Sequence, residues 1–244
     1  MPIEAGFHEA PGEGGRPMPL YVARPQGRGP HPALVIIMEI FGVNSHMQSV
    51  TRRFAESGYV GVCPDFFYRL EERTKPYSDL QGAFALRGTL YDDKMIADIS
   101  RAVAYLKQDA SVKPKGLGII GYCMGGRFSY LAAARLDDFA AASVYYGGGI
   151  VGGEINERVP IEPLKLVSQV RCPVQGLWGS EDQSIPVANV HRLEEALKAA
   201  GVPTEFKVYQ GAGHGFFCED RPAYHAEAAA DAWPRTLAFF RKHL

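Results

Sequence analysis

The chain has no long hydrophobic run. None of its uninterrupted apolar stretches approaches the roughly 18 residues that a membrane span needs. Its start, MPIEAGFHEAPGEGG, has neither the basic segment nor the apolar segment of a secretory leader, so no signal peptide is expected. Neither charge is in excess. Lysine and arginine number 26 against 27 aspartates and glutamates, a formal net charge of -1. That balance gives no case for nucleic acid or an anionic membrane as partner. Cysteine is scarce too. Cys63, Cys123, Cys172 and Cys218 lie far apart with no C-x-x-C pair, neither a zinc pattern nor the framework of a small secreted domain. A reduced, cytoplasmic setting is expected. No internal repeat, low-complexity tract or linker divides residues 1–244, which therefore read as one domain.

What the sequence does have is alternation. Short apolar runs, Ala33–Glu39, Tyr59–Asp65, Gly116–Tyr122, Ala141–Gly147, Pro173–Gly179 and Thr204–Gly211, read as strands covered on both faces. Pro19–Pro25 alternates as an early edge strand would. Helical patterns separate them. One runs from about Ser45 and stops at Gly58, a C′ glycine. Another carries Met95, Ile96, Ile99, Val103 and Leu106, with Asp92 and Asp93 at its positive N-terminal end. A third follows Cys123, a fourth is VANVHRLEEALKAAG, and a C-terminal one is expected to be disturbed at Pro234. The fold class is α/β, with a mostly parallel sheet and helices on both faces.

Two segments satisfy G-x-G-x-x-G, starting at Gly116 and Gly147. The first has its glycines inside a strand. The second opens onto GEINERVP, which has no helical period. Neither fits a dinucleotide site, and no organic cofactor or metal is expected.

Gly121-Tyr122-Cys123-Met124-Gly125 is different. A G-x-C-x-G between a buried strand and a helix has the form of a nucleophile elbow with sulfur in place of the usual serine oxygen. The turn lifts its central side chain above the sheet at a helix N-terminus, where the dipole favours a thiolate. A catalytic acid and a histidine should follow in that chain order. LWGSEDQSIP offers Asp182, with Glu181 as a competitor, and YQGAGHGFF offers His214 in a glycine-lined loop. Either alone would read as a solvated loop residue; in this order, each just past a strand, they read as partners of Cys123. His8, His31, His191 and His243 read as loop, helix-surface or chain-end residues, and Tyr145 and Tyr146 as core or pocket wall.

MEIFGVN (38–44), PDFFYR (64–69), GYCMGG, YYG and GAGHGFF together resemble the dienelactone hydrolase (carboxymethylenebutenolidase) family over essentially the whole chain. The resemblance implies a single-domain α/β-hydrolase fold and a triad of Cys123, Asp182 and His214. It implies an oxyanion hole from the backbone N–H groups of Ile40 and Met124. It also implies that Glu39 holds the resting thiol away from His214 and takes its proton when substrate arrives. A carboxylate ending a buried strand needs such a purpose, because its desolvation must be offset. Family members that act on dienelactone grip its carboxylate with arginines, one of them four residues past the catalytic histidine. Here that position is Cys218. Arg221 follows three residues later, and Arg69 and Arg87 are the upstream candidates, with Tyr146 as a further candidate contact. The missing arginine predicts a weak preference for anionic substrates.

The expected activity is hydrolysis of a carboxylic ester or lactone through a thioester on Cys123. A thioesterase or peptidase would use the same triad. A non-catalytic small-molecule receptor on this scaffold would not need all three groups, and a thiol redox sensor at Cys123 would need a resolving cysteine beside it.

Overall fold

A computed structural model describes residues 1–27 and 29–244. In chain order the strands are β1 (Ile3–Pro11), β2 (Pro17–Pro25), β3 (His31–Ile37), β4 (Val60–Pro64), β5 (Val112–Tyr122), β6 (Ala141–Tyr145), β7 (Val174–Gly179) and β8 (Thr204–Tyr209). The helices are α1 (Ser45–Glu56), α2 (Leu80–Arg87), α3 (Asp92–Gln108), α4 (Met124–Arg135), α5 (Val187–Ala199) and α6 (Ala226–His243). Among the described residues the strands form one sheet, ordered β1-β2-β4-β3-β5-β6-β7-β8. It is antiparallel across β1, β2 and β4 and parallel from β4 to β8. No helix among the described residues is long and apolar enough to cross a membrane.

The connections fix the layers. From β3 the chain crosses through α1 to β4 on one side, then returns through α3 to β5 on the other side of β3. Both crossovers are expected to be right-handed, so α1 and α3 lie on opposite faces of the sheet. α4 continues in the direction of α3 and contacts it. α6 joins α1, where Phe54 meets Trp233 at 4.6 Å and Phe240 at 6.3 Å between ring centroids. The strand order therefore reverses between β3 and β5, and open α/β sheets bind ligands at the C-terminal ends of strands at that point. Buried apolar residues fill β3, β4, β6 and β7, as their unbroken hydrophobic runs require.

Several expectations change in detail. Pro19–Pro25 is not an edge: it lies within β2, and β1 pairs along its outer side from Ile3↔Pro25 to Pro11↔Pro17. The residues of β1 are short of β-branched side chains, include Gly6, and are all but one exposed or half-buried, so they carry little strand signal. β3 stops at Ile37, which leaves Glu39 in the loop beyond it. The α1 boundary is as expected, with the Asn44 side chain accepting from Met47 N–H at 3.1 Å and Gly58 at φ 98°. α6 runs unbroken through Pro234. A proline removes one N–H and crowds the carbonyl four residues back. Here Pro234 and Ala230 are both exposed, so water can reach that carbonyl, while buried Phe239 and Phe240 hold the helix to the sheet.

Candidate active site

The elbow depends on absent side chains. A Cβ on Gly121 would overlap the carbonyl of Gly125, and one on Gly125 would overlap the carbonyl of Ile37 at the end of β3. One on Gly126 would stand 2.6 Å from the carbonyl of Tyr145 at the end of β6. Glycine at these positions lets α4 start wedged between two strand ends. Cys123 takes the strain, with φ 57° and ψ -120°, a region that costs a non-glycine residue about 1–3 kcal/mol. Its N–H donates to the Tyr145 carbonyl at 3.1 Å and its own carbonyl accepts from Gly126 N–H at 3.0 Å, which hold the turn shut.

The sulfur it presents meets its partners. His214 Nε2 lies 3.1 Å from Cys123 Sγ, and His214 Nδ1 lies 2.7 Å from Asp182 Oδ2. Asp182 is itself fixed, its Oδ1 accepting from Ser184 N–H at 2.8 Å. Burial opposes a charged imidazole, but the Cys123 sulfur on one nitrogen and the Asp182 carboxylate on the other outweigh it and push the His214 pKa up to about 10. The competitor Glu181 is exposed and turned to solvent. We therefore expect Asp182→Asn to lower kcat by about 10²–10⁴-fold, while Glu181→Gln changes it less than about twofold. With one anionic partner removed, imidazolium is less favoured. The alkaline limb of the Asp182→Asn pH–rate profile should thus move to lower pH, which a pH series on both variants checks.

Glu39 is fully buried, and it does not hold the thiol. Its Oε1 accepts from Arg221 Nη1 at 3.1 Å and its Oε2 from the Tyr77 hydroxyl at 2.8 Å, while the sulfur already faces His214. The expected resting arrangement is therefore replaced by an ion pair, and Arg221 offsets the desolvation of the carboxylate. Arg221 reaches it by lying against Gly215, which has φ 86° and where a side chain would collide with the guanidinium. Cys218, standing where the family arginine was expected, is buried. Burial pushes its thiol and that of Cys172 up to about 12, and that of Cys63 higher still. Cys123 is the one partly exposed cysteine among four that form no disulfide.

These groups open on a cavity of about 680 Å³, whose lining includes Ile40, Met124, Phe84, Arg87, His214 and Arg221. Among the described residues, neither the Ile40 nor the Met124 N–H makes a main-chain hydrogen bond. Two anticipated contacts lie elsewhere. Arg69 is bound to Asp98 at 2.7 Å and Glu13 at 2.5 Å, away from the cavity lining. Tyr146, fully buried at φ 38°, sits behind His214 with ring centroids 5.3 Å apart and is not part of the lining. The sequence reading missed Tyr77 and His46. It also missed the pair of Arg127 and Asp92, whose two bonds of 2.6 and 2.8 Å tie the elbow helix to α3 at the cavity wall.

Comparison with known proteins identifies the family. A family model described as the dienelactone hydrolase family matches residues 18–244. A protein of Escherichia coli (strain K12) named "Putative carboxymethylenebutenolidase" is 34% identical over 243 residues, 99% of this chain and 88% of that one. A Bradyrhizobium protein named "Probable 2-oxo-3-(5-oxofuran-2-ylidene)propanoate lactonase" is 32% identical over 227 residues, 92% of this chain and 89% of its own. The crystal structure of a "Putative Dienelactone Hydrolase" from Klebsiella pneumoniae superposes with a TM-score of 0.92 at 34% identity, covering 99% of each chain. With its cysteine elbow at the switch point of an α/β-hydrolase sheet, the chain belongs to the dienelactone hydrolase family of ester and lactone hydrolases.

Proposed function

We propose that the protein hydrolyses a carboxylic ester or lactone by covalent catalysis at Cys123. The observation that carries this reading is the continuous chain from Cys123 Sγ through His214 to Asp182, 3.1 and 2.7 Å, at the wall of a cavity. Cys123 Sγ attacks the carbonyl carbon, its proton having passed to His214 Nε2. The oxyanion so formed accepts from the N–H groups of Met124 and Ile40, each worth about 10²–10³ in rate. His214 then gives the proton to the leaving alkoxide, which in a lactone stays tethered to the acyl group. A water deprotonated by His214 hydrolyses the thioester and frees the thiol. Asp182 holds the imidazole in register throughout. The test is acid quenching during turnover of a slowly hydrolysed ester, followed by peptide mass analysis. An acyl group on the Cys123 peptide is the expected result. Steady turnover with no acylated cysteine, or with the acyl group on another residue, would sink the thioester route.

The same geometry revises the substrate expectation. Arg221 lies on the cavity wall, and Arg87 and Arg158 line the cavity without an ion pair among the described residues. We therefore expect substrates that carry a carboxylate beside the scissile bond, held by Arg221 in a two-point contact. Arg221→Gln also leaves Glu39 without its partner, a loss common to both substrates, so KM for a carboxylated lactone should rise by about 10-fold or more beyond any rise for its neutral methyl ester. Equal effects on the two would remove Arg221 from substrate binding.

A further inference from the structure

Behind the triad, three side chains with metal-binding chemistry converge. Glu39 follows β3, His46 lies in the first turn of α1, and Cys218 follows the His214 loop. A carboxylate oxygen, an imidazole nitrogen and the Cys218 sulfur all lie within 4.8 Å of one another, and all three residues are buried. A second observation points to a ligand there. His46 is 7% exposed, and its Nε2, fully shielded from solvent, has no hydrogen-bond partner among the described residues. A buried nitrogen of that kind normally finds a partner, and leaving it without one costs about 1–3 kcal/mol.

We propose that Glu39, His46 and Cys218 form a binding site for a thiophilic divalent cation of the zinc class, separate from Cys123 and His214. One oxygen, one imidazole nitrogen and one thiolate make a donor set that Zn²⁺ and Co²⁺ accept, with a fourth position left for water or the Tyr77 hydroxyl. Metal–ligand bonds of about 2.0–2.3 Å place tetrahedral ligands about 3.3–3.8 Å apart, so the cluster closes by up to about 1.5 Å on binding. The Cys218 thiol proton goes to solvent as the metal–sulfur bond forms, as happens when a bound cation deprotonates a coordinating thiol. The cation takes Glu39 from Arg221, so occupancy frees the guanidinium and rearranges the cavity wall. The hydrolytic reaction itself does not use the cation.

Co²⁺ titration of the full chain tests this by absorption spectroscopy, in a Cys123→Ser background that removes the rival thiolate. A thiolate-to-cobalt charge-transfer band with one equivalent bound is the expected result. Cys123→Ser/Cys218→Ser should lose the band, and Cys123→Ser/His46→Gln should bind more than about tenfold more weakly. Circular dichroism establishes that each variant is folded. If Cys218→Ser disturbs the fold, the His46→Gln comparison decides. A band present in the wild type but absent in Cys123→Ser would place the metal on the triad and overturn the proposal, as would no band in either protein. Because the readout is metal binding without the nucleophile, its failure leaves the thioester reading untouched.

Discussion

Cys123→Ala is expected to lower kcat/KM on p-nitrophenyl acetate by about four to six orders of magnitude while leaving the fold unchanged. The alanine fits the turn, since the strain at φ 57° is a property of any residue with a Cβ and the flanking glycines remain. What disappears is the nucleophile. The residual rate comes from the Ile40 and Met124 amides and from binding, which together retain about 10³–10⁴ over water in comparable enzymes. For the same reason the losses should not add. His214→Ala should cost nearly as much as Cys123→Ala, and the double variant little more than either, because sulfur and imidazole act as a unit at 3.1 Å. A Cys123→Ala protein with wild-type turnover would mean that the hydrolysis occurs elsewhere, and the receptor reading of this scaffold would then regain force. Circular dichroism and thermal melting separate lost chemistry from lost structure.

The second large effect concerns stability. Arg127 and Asp92 are both buried and joined by two bonds, in the first turns of α4 and α3 respectively. Removing one partner leaves a buried charge without compensation, which typically costs about 3–5 kcal/mol. For a chain of this size each kcal/mol lowers Tm by about 2–4 °C, so Asp92→Ala should melt about 10 °C below the wild type. Activity should fall as well, because the freed guanidinium sits one turn beyond Cys123 on the cavity wall. Asp92→Leu combined with Arg127→Met should recover most of the lost stability, since paired apolar replacements of similar volume remove both desolvation terms. If Asp92→Ala melts within about 2 °C of the wild type, the pair contributes little net energy and its role is confined to shaping the cavity.

Much of this architecture is legible in the sequence alone. The β–α alternation, the elbow at Cys123, and His214 past the last strand are local patterns. They are set by side-chain burial along a few residues and by the glycines that a tight strand-to-helix turn requires. The chain order of nucleophile, acid and histidine follows from the topology that those patterns imply. The sequence already favoured Asp182 and kept Glu181 as a competitor. One residue of register turns one carboxylate toward His214 and the other to solvent, and only the pairing of β7 with its neighbours sets that register. β1 was illegible because its residues, all but Ala10 exposed or half-buried, gain strand geometry only from β2 beside them. The state of Glu39 was the least accessible of all. Its partners, Tyr77 and Arg221, lie 38 and 182 residues away in sequence, and no spacing rule links them to it. Local sequence determined which groups could do chemistry, because turns and strands are short-range structures. The tertiary fold decided which charges meet, because the partners of a buried charge are supplied by whichever distant segments the packing brings to it.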